Sequence, residues 1–512
     1  MPNNANSTKT IAKNTLFLYI RMFFSMGISL FTSRVILEAL GVEDYGVYNV
    51  VGGIVALFSF LNSTLAGATS RFINYELGKD ISKVQRVFST ALSVHVLIAL
   101  AVLILGETVG YWFLINKLVI PADRLFAAKL LLQFSLITML FNFTQVPYNA
   151  SIIAYEKMNI YAYVGLADSI LKFLVSYAML FCNYDRLIIY GFLYMVEHLA
   201  VLLFYRSYCT KKFTTCKFKL SLDKEYLKPM LSYSVWDIVG QGSLVIKVQG
   251  VNMLLNMFFG AVVNAATGIA SQVYGLVSQF SQNVMTAFRP QVVKNYAQKD
   301  FNRMEYLINM GATTTFILLL LIGVPLLFEM DIVLKLWLKT VPEYCSSMCK
   351  LSIVACLFAN FTAYPMMGID ATAKIRDTSI IIGILYLLVI PISYLAFVFN
   401  LLNPSVPYLY NALIPIVVIF INASFLHKYV KDFSYINYLL KTVLPGVILF
   451  VVDLASIYLL CLLFEDGYLR LFICVLLNSI VTISFGFLIC YNKHQKRMII
   501  DYLKNKLKIN RC

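Results

Sequence analysis

Charge is scarce in this chain. Of 512 residues only 13% are charged, 26 are acidic and 4 are histidine. A soluble domain carries about 25% charged residues and is about 45–50% apolar, whereas 60% of this chain is hydrophobic. That balance excludes a soluble globular fold, and so apolar a chain cannot stay solvated as a disordered one. Glycine (24) is too rare for a collagen repeat and cysteine (10) too rare for a disulfide scaffold. Cys345 and Cys349 lack zinc-type partner spacing, so no metal centre is expected and the cysteines read as small apolar fillers. There is no G-x-x-x-x-G-K-[ST] phosphate loop and no Ser/His arrangement. Neither ATP hydrolysis nor any other catalysis is expected. Alternating ten-residue strands are absent too, which excludes a transmembrane barrel.

What is present is long apolar segments. Fourteen lie between residues 12 and 491, among them 46–72 and 262–289, and most are joined by short loops. About 20 apolar residues in a helix cross the hydrocarbon core. The fold class is therefore an all-α polytopic membrane protein with about 14 transmembrane helices. Arg21 interrupts the first segment and no small-x-small cleavage site follows it, so this span is expected to be retained.

The net charge of +16 needs an explanation in such a chain. With the N-terminus in the cytoplasm and fourteen alternating spans, thirty of the 42 basic residues fall on the cytoplasmic side and six on the other. This is a strong positive-inside bias. It predicts cytoplasmic termini, an even number of spans, and a charge that serves topology rather than nucleic acid. The basic tail from Lys493 to Arg511 suits the anionic inner leaflet. The remaining six cations fall inside spans. Lys129 and Lys350 lie near outer ends, where snorkelling accounts for them. Arg34 has Glu38 one turn on, which predicts a local ion pair. Arg21, Lys172 and Lys247 are deeper, where a charge is normally tolerated only toward a cavity or partner.

The chain also repeats itself at an offset of about 218–220 residues. Asn142-Phe143-Thr144-x-x-Pro147 recurs as Asn360-Phe361-Thr362-x-x-Pro365, Lys79-Asp80 as Lys299-Asp300, Arg71 as Arg289, and Gly41 as Gly260. These matches pair spans 2, 3 and 4 with spans 8, 9 and 10. Six spans per unit is even, which makes the repeat parallel and places a substrate path between lobes that rock to give alternating access. The expected organisation is a six-helix lobe over 1–208, a basic cytoplasmic linker over 209–228, a second six-helix lobe over 229–430, and two further helices with a basic tail over 431–512.

Polar residues cluster on particular spans: Ser25 and Ser29 beside Arg21; Asn142 and Gln145 around Pro147; Gln241 and Lys247 among glycines; and Gln272, Gln279 and Asn283. They serve either interhelical hydrogen bonding or, with the deep cations, a hydrated cavity of positive character. Among intramembrane acids, Asp168 stands one turn from Lys172, so a structural ion pair is one reading and ion coupling the other. Glu197 and Asp237 are candidates to carry a coupling H+ or Na+, and Asp453, outside the repeat, is a weaker one.

Ser33-Arg34-Val35, then Leu40-Gly41-Val42-Glu43-Asp44-Tyr45-Gly46-Val47-Tyr48, and Gly78-Lys79-Asp80 carry a family resemblance. Together with the two-lobe repeat, they make the chain resemble the multidrug/oligosaccharidyl-lipid/polysaccharide exporter superfamily, and within it the bacterial polysaccharide flippases. The first ~90 residues are the most specific, and the rest agrees mainly in topology. The resemblance implies two six-helix lobes like those of the multidrug exporters, plus two helices. It implies an inner-membrane protein that turns an undecaprenyl-pyrophosphate-linked oligosaccharide, an O-antigen or capsule unit, toward the outer leaflet. Membrane lipids and other polysaccharide-assembly membrane proteins would be its partners. A pyrophosphate calls for cations and donors. Arg21, Lys247 and Arg289 match, by span and depth, the cavity cations of the lipid II branch. Arg71, the counterpart of Arg289, would serve as a cytoplasmic gate, or both as positive-inside anchors. A drug or cation exporter of the same fold would show an acid-dominated cavity. A membrane glycan polymerase would need a large catalytic outer loop, which 106–123 and 329–343 do not supply.

Overall fold

The structure is a computed structural model. It describes residues 4–155, 157–219, 222–372, 374–399, 403–491 and 495–497. Among them every long element is a helix. In chain order these are α1 (Asn4–Ala56), α2 (Ser59–Lys79), α3 (Ile81–Leu105), α4 (Tyr111–Asn116), α5 (Leu125–Ala154), α6 (Met158–Ala178), α7 (Arg186–Lys212) and α8 (Lys224–Phe259). There follow α9 (Ala261–Ala297), α10 (Phe301–Trp337), α11 (Cys345–Thr372), α12 (Arg376–Val398), α13 (Val406–Tyr429), α14 (Tyr435–Tyr438), α15 (Leu444–Leu463) and α16 (Tyr468–Phe485). Wide π-turns at Gly106–Gly110 and Leu439–Val443 join α3 to α4 and α14 to α15 without breaking the rod.

Among the described residues, twelve helices are long and apolar enough to cross a membrane, so this is a multi-pass membrane protein. The two expected spans that fall outside that set are the repeat partners 46–72 and 262–289. The first is divided between the end of α1 and α2 by a turn at Leu57–Phe58. The second is the continuous but polar α9, rich in Asn, Gln, Ser and Thr.

The repeat is written in the backbone. α1 kinks at Gly41 (φ 78°, ψ 173°) and α8 ends at Gly260 (φ 77°, ψ −173°), the same glycine-favouring conformation at matched positions. Asp80 accepts from the Ser82 amide (3.0 Å) to open α3, and Asp300 accepts from the Arg303 amide (3.0 Å) to open α10. Pro147 lies inside α5 and Pro365 inside α11. The α5–α7 and α11–α13 pairs are the most extensive helix contacts.

The chain divides into two compact units: residues 1–268, 337–343 and 379–404, and residues 269–336, 344–378 and 405–512. In the first, Val47, Val50, Leu131, Leu132, Leu136 and Phe143 belong to a buried apolar cluster. Its two backbone breaks are braced differently. At Gly41, Arg186 donates to the Ala39 carbonyl (2.9 Å), while one guanidinium, Arg124, forks both Asp44 (2.5 and 2.6 Å) and Asp185 (2.7 and 3.1 Å). Asp185 also caps α7 by accepting from the Leu187 and Ile188 amides (3.0 and 3.2 Å). Burial alone would raise the Asp185 carboxyl, but the Arg124 bond and these amides outweigh it and hold it below the ordinary carboxylate range. At Gly260 the bracing is neutral. Asn256 donates to Asn264 (2.9 Å), Asn264 donates to the Asn252 side-chain oxygen (2.6 Å), and Thr267 donates to that oxygen too (2.7 Å). Asn256 in turn accepts from the Val119 amide (2.7 Å). The helices approach closely here: a Cβ on Gly46 would overlap the Ala261 carbonyl, and one on Gly268 the Asn49 amide.

The expected Arg34–Glu38 pair gives way to a distant one. Glu38 is ion-paired with Lys339, because the segment around 337–343 folds beside α1 and Trp337 donates to the Leu30 carbonyl (2.8 Å).

In the second unit, aromatic packing of Phe316 on Phe361 (centroids 4.4 Å apart) and the Tyr438 hydroxyl on the Phe361 carbonyl (2.6 Å) tie α10, α11 and α14 together. Glu329 is buried and forked by Arg470 (2.7 and 3.0 Å). Cys474 donates to the same carboxylate (3.4 Å), so this cysteine does more than fill space. Glu329, Cys461 and Cys474 bring ligand-type atoms within 4.8 Å of one another, but both oxygens of Glu329 are already held by the guanidinium.

Candidate functional site

Lys247 is placed by a parallel pairing of α8 with α12. Gly240 lies against Ser379 and Gly250 against Ile390, and the missing side chain at Gly250 lets the helices close there. Gly240, Lys247 and Gly250 repeat at helical spacing on one face, as do Ser379, Tyr386 and Ile390 on the other helix. The register sets the Lys247 ammonium 4.4 Å from the centroid of the Tyr386 ring. Such a cation–π contact is worth about 2 kcal/mol where it is desolvated. Among the described residues no carboxylate stands within ion-pair distance of Lys247.

A second cluster joins α1, α6 and α7. Lys172 is ion-paired with Asp168 (2.8 Å) and lies 5.8 Å from the Tyr194 ring. Tyr194 stacks obliquely on His198 (4.3 Å), and Tyr190 bridges onward to Tyr48 (5.1 Å). Glu197 is buried with His198 Nδ1 2.7 Å from one of its oxygens. That ring nitrogen is also aimed at the Tyr194 carbonyl (3.0 Å), and neither carboxyl oxygen of Glu197 has a hydrogen bond of good geometry. Ser169, next to Asp168, donates to Ser25 of α1 (2.8 Å). The structure thus brings Asp168, Lys172 and Glu197 together through Tyr194, with Ser25 at the cluster's edge.

The other sequence-selected residues are placed as follows. Ser29 is exposed, and its carbonyl accepts from Ser33 (3.1 Å). Asn142 and Gln145 are half-buried on α5 beside Pro147. In the second unit, Gln272 is half-buried with its side-chain oxygen unpartnered, Gln279 is exposed, and Asn283 is half-buried. Arg289 is exposed and reaches Asp370 of α11 (3.3 Å). The side chains of Arg21, Arg71, Asp237 and Gln241 lie outside the described residues. Sequence reasoning missed Tyr386 and Tyr194, the aromatic faces that receive the two deep lysines. The Ser379/Tyr386/Ile390 heptad spacing was the available signal for the first.

No family model and no curated protein sequence matches the chain. Its fold is shared with solved transporters of low sequence identity. The lipid II flippase MurJ in an inward closed conformation superposes with a TM-score of 0.69 at 20% identity, covering 93% of this chain and 98% of that one. An inward-facing multidrug resistance MATE family transporter of the MOP superfamily gives 0.68 at 14% identity, covering 82% and 100%. The MATE multidrug transporter DinF-BH gives 0.63 at 15%, covering 82% and 95%. Two expectations are met at this level: the all-helical polytopic fold, and its likeness to MOP-superfamily transporters.

Proposed function

We propose that the chain is a flippase that turns an undecaprenyl-pyrophosphate-linked oligosaccharide from the cytoplasmic to the outer leaflet of a bacterial inner membrane by alternating access. One observation carries the reading: Lys247 is held against an aromatic ring without a carboxylate partner among the described residues. A deep cation without a counterion is costly unless it meets an anion at some stage of its cycle. A pyrophosphate is such an anion, and giving up a ring contact to meet it strands no buried charge. The broader coverage by the lipid II flippase than by the multidrug transporter, 93% against 82%, supports the same choice. Arg21, Arg71, Arg289 and Lys172 are proposed as further phosphate contacts. Lys172 is the weakest of these, since releasing it would strand Asp168. Glu197, Asp168 and Asp237 are proposed for H+ or Na+ coupling. Membrane lipids and other polysaccharide-assembly proteins are the proposed partners, with both termini in the cytoplasm.

The test is surface glycan in cells relying on this chain. Lys247→Ala removes the charge and is expected to cut surface glycan about tenfold, the loss of one contact worth about 1.4 kcal/mol, with the protein still present in the membrane. Lys247→Arg is expected to retain most of it. Normal glycan in Lys247→Ala overturns the assignment. The alternative, a multidrug exporter, is favoured by the buried acid Glu197 and by the fold shared with the multidrug transporter DinF-BH. Ethidium efflux that Glu197→Gln abolishes would establish it.

A further inference from the structure

Asp453, in the middle of α15, is fully buried and has no cation within ion-pair distance among the described residues. Among the described residues its carboxyl has one hydrogen bond, from the Thr482 hydroxyl of α16, which donates to Oδ2 (2.8 Å). The other oxygen, Oδ1, is buried without a partner. One turn before Thr482, the side-chain oxygen of Asn478 is also buried and lacks a donor, while its NH2 donates to the Leu320 carbonyl of α10 (3.1 Å). The rest of the surroundings is apolar or uncharged. Leu449 of α15 and Ile317 of α10 close around Gly486, and the titratable groups on that side are Cys490 and Tyr491, the latter bonded to Thr314 (3.0 Å). Arg470, on α16 but about three turns before Thr482, is taken by Glu329 and Asp466.

An ionised carboxylate with one hydroxyl donor and no counterion is among the costliest groups to bury. One proton removes that cost. It neutralises the acid and turns Oδ1 into a donor in a region that holds an orphan acceptor.

We propose that Asp453 is a proton-binding site. The carboxyl carries its proton while α15 and α16 are packed, and losing that proton to solvent leaves a carboxylate that the pair accommodates only by loosening and admitting water. The site lies outside the acids proposed above for coupling. It rests on its own geometry and not on the identity of the substrate.

The experiment is infrared spectroscopy of the full-length protein in lipid nanodiscs. At neutral pH a protonated-carboxyl C=O band is expected that Asp453→Asn removes and Glu197→Gln leaves in place. If Asp453→Asn fails to fold, Thr482→Val is the second arm. Loss of the hydroxyl that donates to the carbonyl oxygen is expected to move the same band to higher frequency. Protection of the α15 and α16 amides, measured relative to the base-catalysed intrinsic exchange rate at each pH, is expected to fall at alkaline pH in the unaltered protein and to stay constant in Asp453→Asn. Absence of a band lost in Asp453→Asn, a band indifferent to Thr482→Val, or an equal alkaline loss of protection in both proteins would overturn the proposal.

Discussion

The breaks at Gly41 and Gly260 share one backbone geometry and differ in everything that holds them. The first is braced by ions: Arg124 shared between Asp44 and Asp185, Lys339 on Glu38, and Arg186 on a carbonyl. The second is braced by the neutral network of Asn252, Asn256, Asn264 and Thr267. The repeat has kept a conformation and replaced its supports. The ionic groups are about a fifth to a third exposed, except Lys339 and Arg186, which are more so, whereas Asn256 and Asn264 are fully buried. The two breaks should therefore answer to different solvents.

The largest effect is expected from Asn264→Leu. It removes three buried hydrogen bonds at once, to Asn256, to the Asn252 side chain and to the Asn252 carbonyl, at about 1 kcal/mol each. A fall in thermal stability in detergent that salt leaves unchanged is the expected result. Arg124→Ala should cost about 2 kcal/mol, because two partly buried carboxylates lose their shared cation. That cost should shrink in high salt, unlike the first. Equal salt responses in the two variants would break the comparison. Gly41→Ala and Gly260→Ala should each cost about 1–2 kcal/mol, since only glycine adopts these angles without strain. A difference between those two would measure how far each brace tolerates a displaced backbone. The smallest effect is acidification. Asp185 holds its proton less tightly folded than unfolded, so its contribution is complete above the ordinary carboxylate range and is lost as pH falls through its lower folded-state value. Acid melting curves of the unaltered protein and Asp185→Asn should converge, and curves that stay parallel down to low pH would remove Asp185 from the ionic brace.

Much of the architecture was legible in the sequence. Hydropathy located the helices, and matched residues such as Gly41/Gly260 and Asp80/Asp300 exposed a repeat whose geometry the structure carries in its dihedrals and caps. The i,i+4 rule found the Asp168–Lys172 pair. The same rule failed for Arg34 and Glu38, because the true partner, Lys339, comes from a segment about 300 residues on, and local spacing is blind to such returns. Nor does local spacing reach Lys247, whose ammonium is received by the face of Tyr386 on another helix. Periodicity marks which face of a helix is polar, but not which neighbour that face meets. The Leu57–Phe58 turn that divides span 2 carries no Pro or Gly to announce it.

The polarity of α2 and α9 bears on how this chain is made. Both helices are rich in Asn, Ser and Thr, so neither is a strong signal for entering the bilayer alone. Each follows a more apolar helix after the Gly41 kink or the Gly260 break and precedes another, α3 or α10. Their entry into lipid thus depends on neighbours already in place or about to arrive. Elongation past α2 and again past α9 is therefore expected to leave a half-made chain with more polar surface than the membrane readily accepts.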